Sequence, residues 1–276
     1  MRLIDAYNLC RKNIISKTDS LILIKKIFNA DRLHISLHCN EIVKDEDVDL
    51  LINCISRLNT GEPIQYIVGE TEFLGLNFKV GNGVFIPRQE TEILVKSTID
   101  EFPSNFSGNI IDLCSGSGVI PICLKKNLKN SNVWAIEKSK EAFGYLCDNV
   151  EKNKVHINCI LGDIFKEFNR FDNEFFDIIV SNPPYIKTLD IETLDKNVKF
   201  EPRIALDGGI DGLIFYNQIL KFWSKKLKKN AIIVFEIGFG QFKQIHDIIK
   251  SNGFKNISVI HDFSKIERVV FATKSV

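Results

Sequence analysis

Ten residues, Phe176 to Tyr185, read Phe-Asp-Ile-Ile-Val-Ser-Asn-Pro-Pro-Tyr. The first half is apolar and β-branched, the pattern of a buried strand. Two consecutive prolines cannot continue a strand, because each lacks a backbone N–H and fixes φ. The strand therefore ends near Ser181, and Asn182 opens a stiff loop at its carboxyl end, where open α/β sheets bind ligands. That loop offers the side-chain carbonyl of Asn182, backbone carbonyls stiffened by Pro183 and Pro184, and the ring of Tyr185. These groups suit a planar NH2: acceptors for its two hydrogens and a flat surface for its face. Alone, the tetrapeptide reads better as a mere turn, since Asn-Pro is a common turn start.

A second stretch makes a binding site the better reading. Asp112-Leu113-Cys114-Ser115-Gly116-Ser117-Gly118 follows one strand pattern and precedes a helical one. Small residues there let a ligand approach the backbone, and the next helix points N–H groups at it. Glu137 closes the following strand, 19 residues beyond Gly118, where an acid suits a ribose diol. Asp163, in Leu161-Gly162-Asp163-Ile164-Phe165, ends a third strand. It is placed to accept an adenine amino group, with Ile164 or Phe165 packing on the base. Pro121 occupies the third glycine position of a dinucleotide fingerprint, which disfavours a nicotinamide oxidoreductase.

These segments need a sheet to hold them. From Asn109 the chain alternates strands with glycine turns and helices. Strand patterns cover Ile110 to Leu113, Asn132 to Glu137, Ile157 to Leu161, Phe176 to Val180, Ala231 to Ile237, Ile257 to His261 and Val269 to Lys274. Such alternation predicts an open, mostly parallel α/β sheet with helices on both faces. Arg88 to Phe102 reads as a helix, acidic in its first turn. Residues 1 to about 60 show apolar residues at helical spacing, with Asp19-Ser20 and Asp31 as candidate caps. A helical stretch from Asp45 to Leu58 stops at Asn59-Thr60-Gly61. Between them, Glu72 to Val80 and Val84 to Ile86 read as a hairpin turning at Gly81-Asn82-Gly83. The expected organisation is a helical domain at 1–70, a hairpin linker at 71–87 and a sheet domain at 88–276.

A chain of 276 residues with a net charge of +1 carries no field that favours a polyanion or a membrane surface. No apolar run is long enough to span a bilayer, and Asp5 interrupts what a signal peptide would keep apolar. The expected compartment is the cytoplasm. Seven scattered cysteines form no Cys-x-x-Cys pair and read as reduced, mostly buried thiols. His34 and His38 are spaced for one helix face, but no third ligand stands beside them in a recognisable pattern; no metal is expected.

The glycine turn, Glu137, Asp163 and Asn182-Pro183-Pro184-Tyr185, in that order, resemble an S-adenosylmethionine-dependent amino methyltransferase. Flanking segments narrow the resemblance. Gly61 to Gly69 (Gly-Glu-Pro-Ile-Gln-Tyr-Ile-Val-Gly), Phe85-Ile86-Pro87-Arg88 with Thr91-Glu92, and Glu201 to Gly209 with Asp211-Gly212 are similar to the release factor glutamine methyltransferases, the HemK/PrmC family. The resemblance spans essentially the whole chain. It implies a Rossmann-like class I methyltransferase domain behind a small all-α substrate-binding domain. It further implies methyl transfer from S-adenosyl-L-methionine, leaving S-adenosyl-L-homocysteine. The implied acceptor is the side-chain amide nitrogen of the glutamine in a Gly-Gly-Gln loop of class 1 peptide-chain release factors. The implied catalytic residues are Asn182, Pro183 and Tyr185, with Pro184 beside them in substrate binding. The implied cofactor contacts are Cys114, Ser115, Gly116, Ser117, Gly118, Glu137, Asp163, Ile164 and Asn182. A monomer acting on a protein, not on DNA or at a membrane, is expected. The sequence departs from the family pattern at Gln89, where proline usually follows the arginine, at Cys114, where glycine is common, and at Glu137, where aspartate is commoner. Other readings are a DNA adenine methyltransferase, which would use the same four residues on a flipped base, and a non-catalytic adaptor with a vestigial site. Against the DNA reading, the stretch after Tyr185 carries Asp190, Glu192 and Asp195 against Lys187 and Lys196, a poor surface for a phosphate backbone.

Overall fold

The computed structural model describes residues 1–14 and 16–275. They form two compact units, one of Met1–Glu70 with Asp195–Phe200, the other of Thr71–Leu194 with Glu201–Val276.

The first unit is helical: α1 (Leu3–Asn13), α2 (Lys17–Phe28), α3 (Arg32–Leu37), α4 (Asp45–Asn59) and α5 (Ile64–Val68). The apolar stripes meet in a core that includes Leu3, Ala6, Leu23, Ile24 and Leu51. The caps are local side-chain bonds. Asp31 accepts the His34 N–H at 2.8 Å, as expected of a cap. For α2 the cap is Ser16, which accepts the Asp19 N–H at 3.1 Å, so the helix begins ahead of the expected Asp19-Ser20. Three acids open α4 and Arg57 lies in its last turn, both favourable to the helix dipole. Gly69, at φ +77°, ends α5, in a conformation cheap only for glycine.

The second unit opens with a hairpin, but not the expected one. Strands β1 (Glu70–Phe73) and β2 (Leu76–Lys79) turn at Leu74-Gly75, while Gly81-Asn82-Gly83 and Val84 to Ile86 lie outside any strand. Leu74 and Gly75 have φ of +49° and +73°. Positive φ at both central residues is what a two-residue hairpin needs to match strand twist. Leucine is not a residue that advertises it.

The main sheet has β3 (Asn109–Leu113), β4 (Asn132–Glu137), β5 (Asn158–Leu161), β6 (Phe176–Ser181), β7 (Leu227–Glu236), β8 (Phe254–His261) and β9 (Glu267–Lys274). Its order is β5-β4-β3-β6-β7-β9-β8. The first five strands run parallel; β9 is antiparallel to both β7 and β8. Strand order reverses between β3 and β6, the crevice where such sheets bind ligands. Helices α6 (Gln89–Asp100), α7 (Val119–Asn127), α8 (Lys140–Lys152), α9 (Ile164–Glu167), α10 (Ile214–Trp223) and α11 (Phe242–Ser251) accompany the strands. Side-chain alternation divides each central strand between two cores. Ile111, Ile179 and Phe235 join one, while Ile110, Ile178 and Val234 join the other. The first core holds an aromatic group in which Trp134, Phe175 and Phe176 pack edge to face, 4.9 to 5.5 Å between centroids, a favoured quadrupolar arrangement. The parallel strands are thereby fixed, and their carboxyl ends are brought to one edge.

Candidate active site

At that edge the backbone leaves β3 through an unusual turn. Cys114 has φ +66°, and Gly116 and Gly118 have φ +53° and +85°. The family's usual glycine at position 114 thus has a conformational reason, and here a cysteine adopts the same strained region. Gly118 caps α7 and donates its N–H to the Ser115 carbonyl at 2.8 Å. A Cβ on Gly118 would meet Leu146 at 2.5 Å, whereas one on Gly116 would meet nothing within 4 Å. Gly116 is therefore the point where the turn lies open.

Glu137, at the end of β4, reaches across this turn. One carboxylate oxygen accepts the Gly116 N–H at 2.8 Å and the other accepts the Ser139 N–H at 2.7 Å. Burial pushes its pKa up despite these bonds and a further one from the Lys138 N–H, and acceptor capacity remains. Asp163 follows β5 and caps α9, accepting the Phe165 N–H at 3.0 Å. Burial raises its pKa, but the Phe165 N–H and the Lys138 ammonium, 2.9 Å away, outweigh burial and leave the carboxyl below its ordinary range. The Ile164 carbonyl accepts the Trp223 indole N–H at 2.9 Å, which anchors the loop to the core.

Asn182 follows β6. Its side-chain NH2 donates to the Thr91 hydroxyl at 3.2 Å, and that hydroxyl donates to Glu236 at 2.7 Å. The Tyr185 hydroxyl lies 3.5 Å from the other Glu236 oxygen. Glu236, on the last residue of β7, is 2 % exposed. Burial, first, and the nearby Glu90 raise its pKa to about 7. The Tyr185 carbonyl is held by the Gln241 amide at 3.1 Å. Gly208 pairs with Ile186, its N–H 2.8 Å from the Ile186 carbonyl. A Cβ there would strike Tyr185 Cα at 2.7 Å, so only glycine permits this approach. Glu201 holds a third segment: it accepts the Ile86 N–H at 3.0 Å and forms an ion pair with Arg88.

One cavity joins these groups. Cys114, Ser115, Gly116, Ser117, Glu137, Asp163 and Ile164 line it on one side, and Asn182, Pro183, Pro184 and Tyr185 on the other. Of the residues expected at the site, Gly118 does not line the cavity; its part is to let α7 start against Leu146. Asp190, Glu192 and Asp195 do not line it either. Glu192 pairs with Arg203 at 3.3 Å. Glu236 and Gln241 were not foreseen, and Thr91 appeared only as part of a motif. The available signal for Glu236 was an acid inside the apolar run from Ile232 to Ile237, since such a residue is almost never fully buried without a partner. In the helical unit, Glu41 supplies the third group that the sequence did not reveal beside His34 and His38; their ligand atoms lie within 4.8 Å of one another, on a largely exposed surface. Among the described residues no helix is long and apolar enough to cross a membrane.

The sheet and the turn at its carboxyl edge have the class I methyltransferase fold. The sheet unit resembles a methyltransferase from Pyrococcus furiosus, with TM-score 0.55 and 16% identity over 74% of this chain and 91% of that one. It also resembles the 16S rRNA N2 G1207 methyltransferase of T. thermophilus, solved with AdoMet and guanosine, with TM-score 0.54 and 16% identity over 74% and 49%. At such identities the likeness establishes the fold. Sequence comparison is more specific. Residues 9–69 match the PrmC N-terminal domain and residues 76–199 the methyltransferase small domain. The release factor glutamine methyltransferase of Thermodesulfovibrio yellowstonii is 37% identical over 92% of this chain and 91% of its own. That of Clostridium botulinum is 36% identical over 99% and 98%. This chain belongs to the release factor glutamine methyltransferase family.

Proposed function

We propose that this protein transfers the methyl group of S-adenosylmethionine to the side-chain amide nitrogen of the glutamine in the Gly-Gly-Gln loop of a class 1 peptide-chain release factor. The observation that carries the reading is the single cavity lined by Gly116, Glu137 and Asp163 on one side and Asn182 to Tyr185 on the other, in a chain of this family. The residues on the first side fit the cofactor. Glu137 keeps acceptor capacity for a ribose diol, Asp163 for an adenine amino group, and the open face of Gly116 admits a close approach. When bound, the cofactor supplies an electrophilic methyl group.

The chain's own residues have a different task. An amide nitrogen is a poor nucleophile because its lone pair is delocalised into the carbonyl. As it takes up a methyl group it gains positive character, and its hydrogens become stronger donors. Acceptors fixed beforehand bind that state more tightly than the ground state. The Asn182 side-chain oxygen and the Pro183 carbonyl are the acceptors, and the Tyr185 ring stacks on the amide plane. Holding the nitrogen in line is the main contribution to rate. The proton leaves after transfer, since a protonated, methylated amide is strongly acidic. The reading requires no metal and no second subunit; unchanged turnover in a chelator, and sedimentation as one chain, check both. The reading calls for an enzyme that works in the cytoplasm, where such a substrate is made.

The helical unit offers a second contact for a folded substrate. Transfer of labelled methyl to intact release factor, to a short peptide of the same loop and to duplex DNA tests the proposal. The intact factor should be the good substrate, the peptide much poorer and DNA inert. Labelling of adenine in DNA, with none of release factor, would overturn it.

A further inference from the structure

Asn182 can serve as an acceptor only if its amide presents oxygen, not nitrogen, to the cavity. The two ends of a side-chain amide have nearly the same shape, so packing does not choose between them. Hydrogen bonding does. The Thr91 hydroxyl has one hydrogen, and at 2.7 Å it is given to Glu236. What it then offers to Asn182, 3.2 Å away, is a lone pair. Only the NH2 end of the amide can meet a lone pair, so the oxygen end faces away from Thr91. The direction is set one step further back, because Glu236 accepts from both Thr91 and the Tyr185 hydroxyl. The Glu236 backbone is fixed in turn, its carbonyl accepting the Tyr216 hydroxyl at 2.8 Å.

We propose that Thr91 and Glu236 form a one-way hydrogen-bond relay that holds the Asn182 amide with its oxygen toward the methyl acceptor, which makes both of them positioning residues. The inference rests on the acceptor role given to Asn182 above. Thr91 lies near the start of α6, Asn182 after β6 and Glu236 at the end of β7. The relay thus ties the motif after Arg88 to the Asn-Pro-Pro-Tyr loop through a residue that belongs to neither.

The relay has a polarity that chemistry can reverse. A carboxylate only accepts, but a protonated acid has one donor, which turns one of the two accepted bonds around. The groups facing Glu236 are Thr91 and Glu90 on α6, Tyr185 after β6, Tyr216 on α10 and Arg268 on β9. Of these, Arg268 favours the ionised form and Glu90 opposes it. With its pKa raised to about 7, Glu236 is ionised above neutrality, and turnover should fall as pH drops through that value.

Three variants and two readouts test the relay. Thr91→Val keeps the shape and removes the lone pair, so turnover should fall about 10- to 100-fold, the scale of a misplaced catalytic group, with calorimetric affinity for S-adenosylhomocysteine unchanged. Thr91→Ser keeps the hydroxyl and should recover most of that loss. Glu236→Gln can donate to Thr91 and reverse the relay, so it should lose turnover and the acid limb of the pH profile together. The second readout needs no methyl acceptor. The 15N side-chain amide resonance of Asn182 should titrate near neutral pH in the unmodified protein and stop doing so in Thr91→Val. A titrating resonance without methylation of release factor would retain the relay and refute the substrate. A resonance indifferent to pH and to Thr91→Val, or Thr91→Val at full turnover, would overturn the relay.

Discussion

The two sides of the cavity are held by different kinds of bond. On the side of β3 to β5 the acids are tied mainly to backbone N–H groups, with the Lys138 ammonium on Asp163 besides. Asp163 and Glu137 each bind an N–H two residues on, and Glu137 binds another 21 residues back. On the side of Asn182 the bonds join side chains 91, 145 and 51 residues apart. The bonds that span two residues form with the turn that carries them. The distant ones exist only when α6, β6 and β7 are already assembled, and each depends on the next. A change on the first side should therefore cost its own contact, while a change on the second should propagate.

Asn182→Ala is the harshest way to break this contrast. Loss of one preorganised polar contact to a developing charge should lower turnover about 100-fold or more, with a much smaller loss of cofactor affinity. An equal loss in binding would merge the two sides. Glu236 gives the next largest effect, on stability. Its pKa is raised from 4.5 to about 7 in the folded protein, so the native state holds its proton more tightly than the unfolded chain. Its contribution is full below pH 4.5 and lost as pH rises to about 7, by about 3 kcal/mol at the usual conversion. Denaturant midpoints of Glu236→Gln should lack that part of the slope; an identical slope would mean that Glu236 is ionised at low pH.

Glu137→Ala acts on the cofactor side. It should cost about 1–3 kcal/mol in S-adenosylmethionine binding, as for bonds to a charged group, while saturating turnover stays within a few fold. Cys114→Val tests the turn itself. A β-branched residue tolerates the φ of +66° less well than the cysteine already there and should lower stability further; an unchanged melting temperature would show that the turn relaxes. The smallest effect belongs to Gln89→Pro. Gln89 is the first residue of α6, where proline removes a donor the helix does not use, and the gain should be about 0.4–1 kcal/mol.

The same contrast explains what the sequence made legible. Each main-sheet strand lies within a few residues of its apolar run, and for β3, β6 and β7 the reason is burial on both faces, which leaves a parallel strand little freedom in composition. Cys114 to Gly118, Glu137, Asp163 and Asn182 to Tyr185 were legible because a strand end beside a glycine, an acid or a proline is a local signal. The hairpin was misplaced because Leu74, not a glycine, adopts positive φ there. Thr91 and Glu236 were opaque as partners, since nothing local states that residues 145 apart share a hydrogen bond. The resemblance to the family covered the motifs but not the bond between them.

If Asn182 and its neighbours act on the planar NH2 of one glutamine, the methyl group must appear on that nitrogen and depend on Asn182. Tandem mass spectrometry of intact release factor, after incubation with S-adenosylmethionine and either the unmodified enzyme or Asn182→Ala, tests it most directly. A methyl group on the side-chain amide nitrogen of the Gly-Gly-Gln glutamine alone, with that signal nearly abolished by Asn182→Ala, is the predicted result. Methylation at another residue, or at that glutamine with equal efficiency by Asn182→Ala, would contradict it.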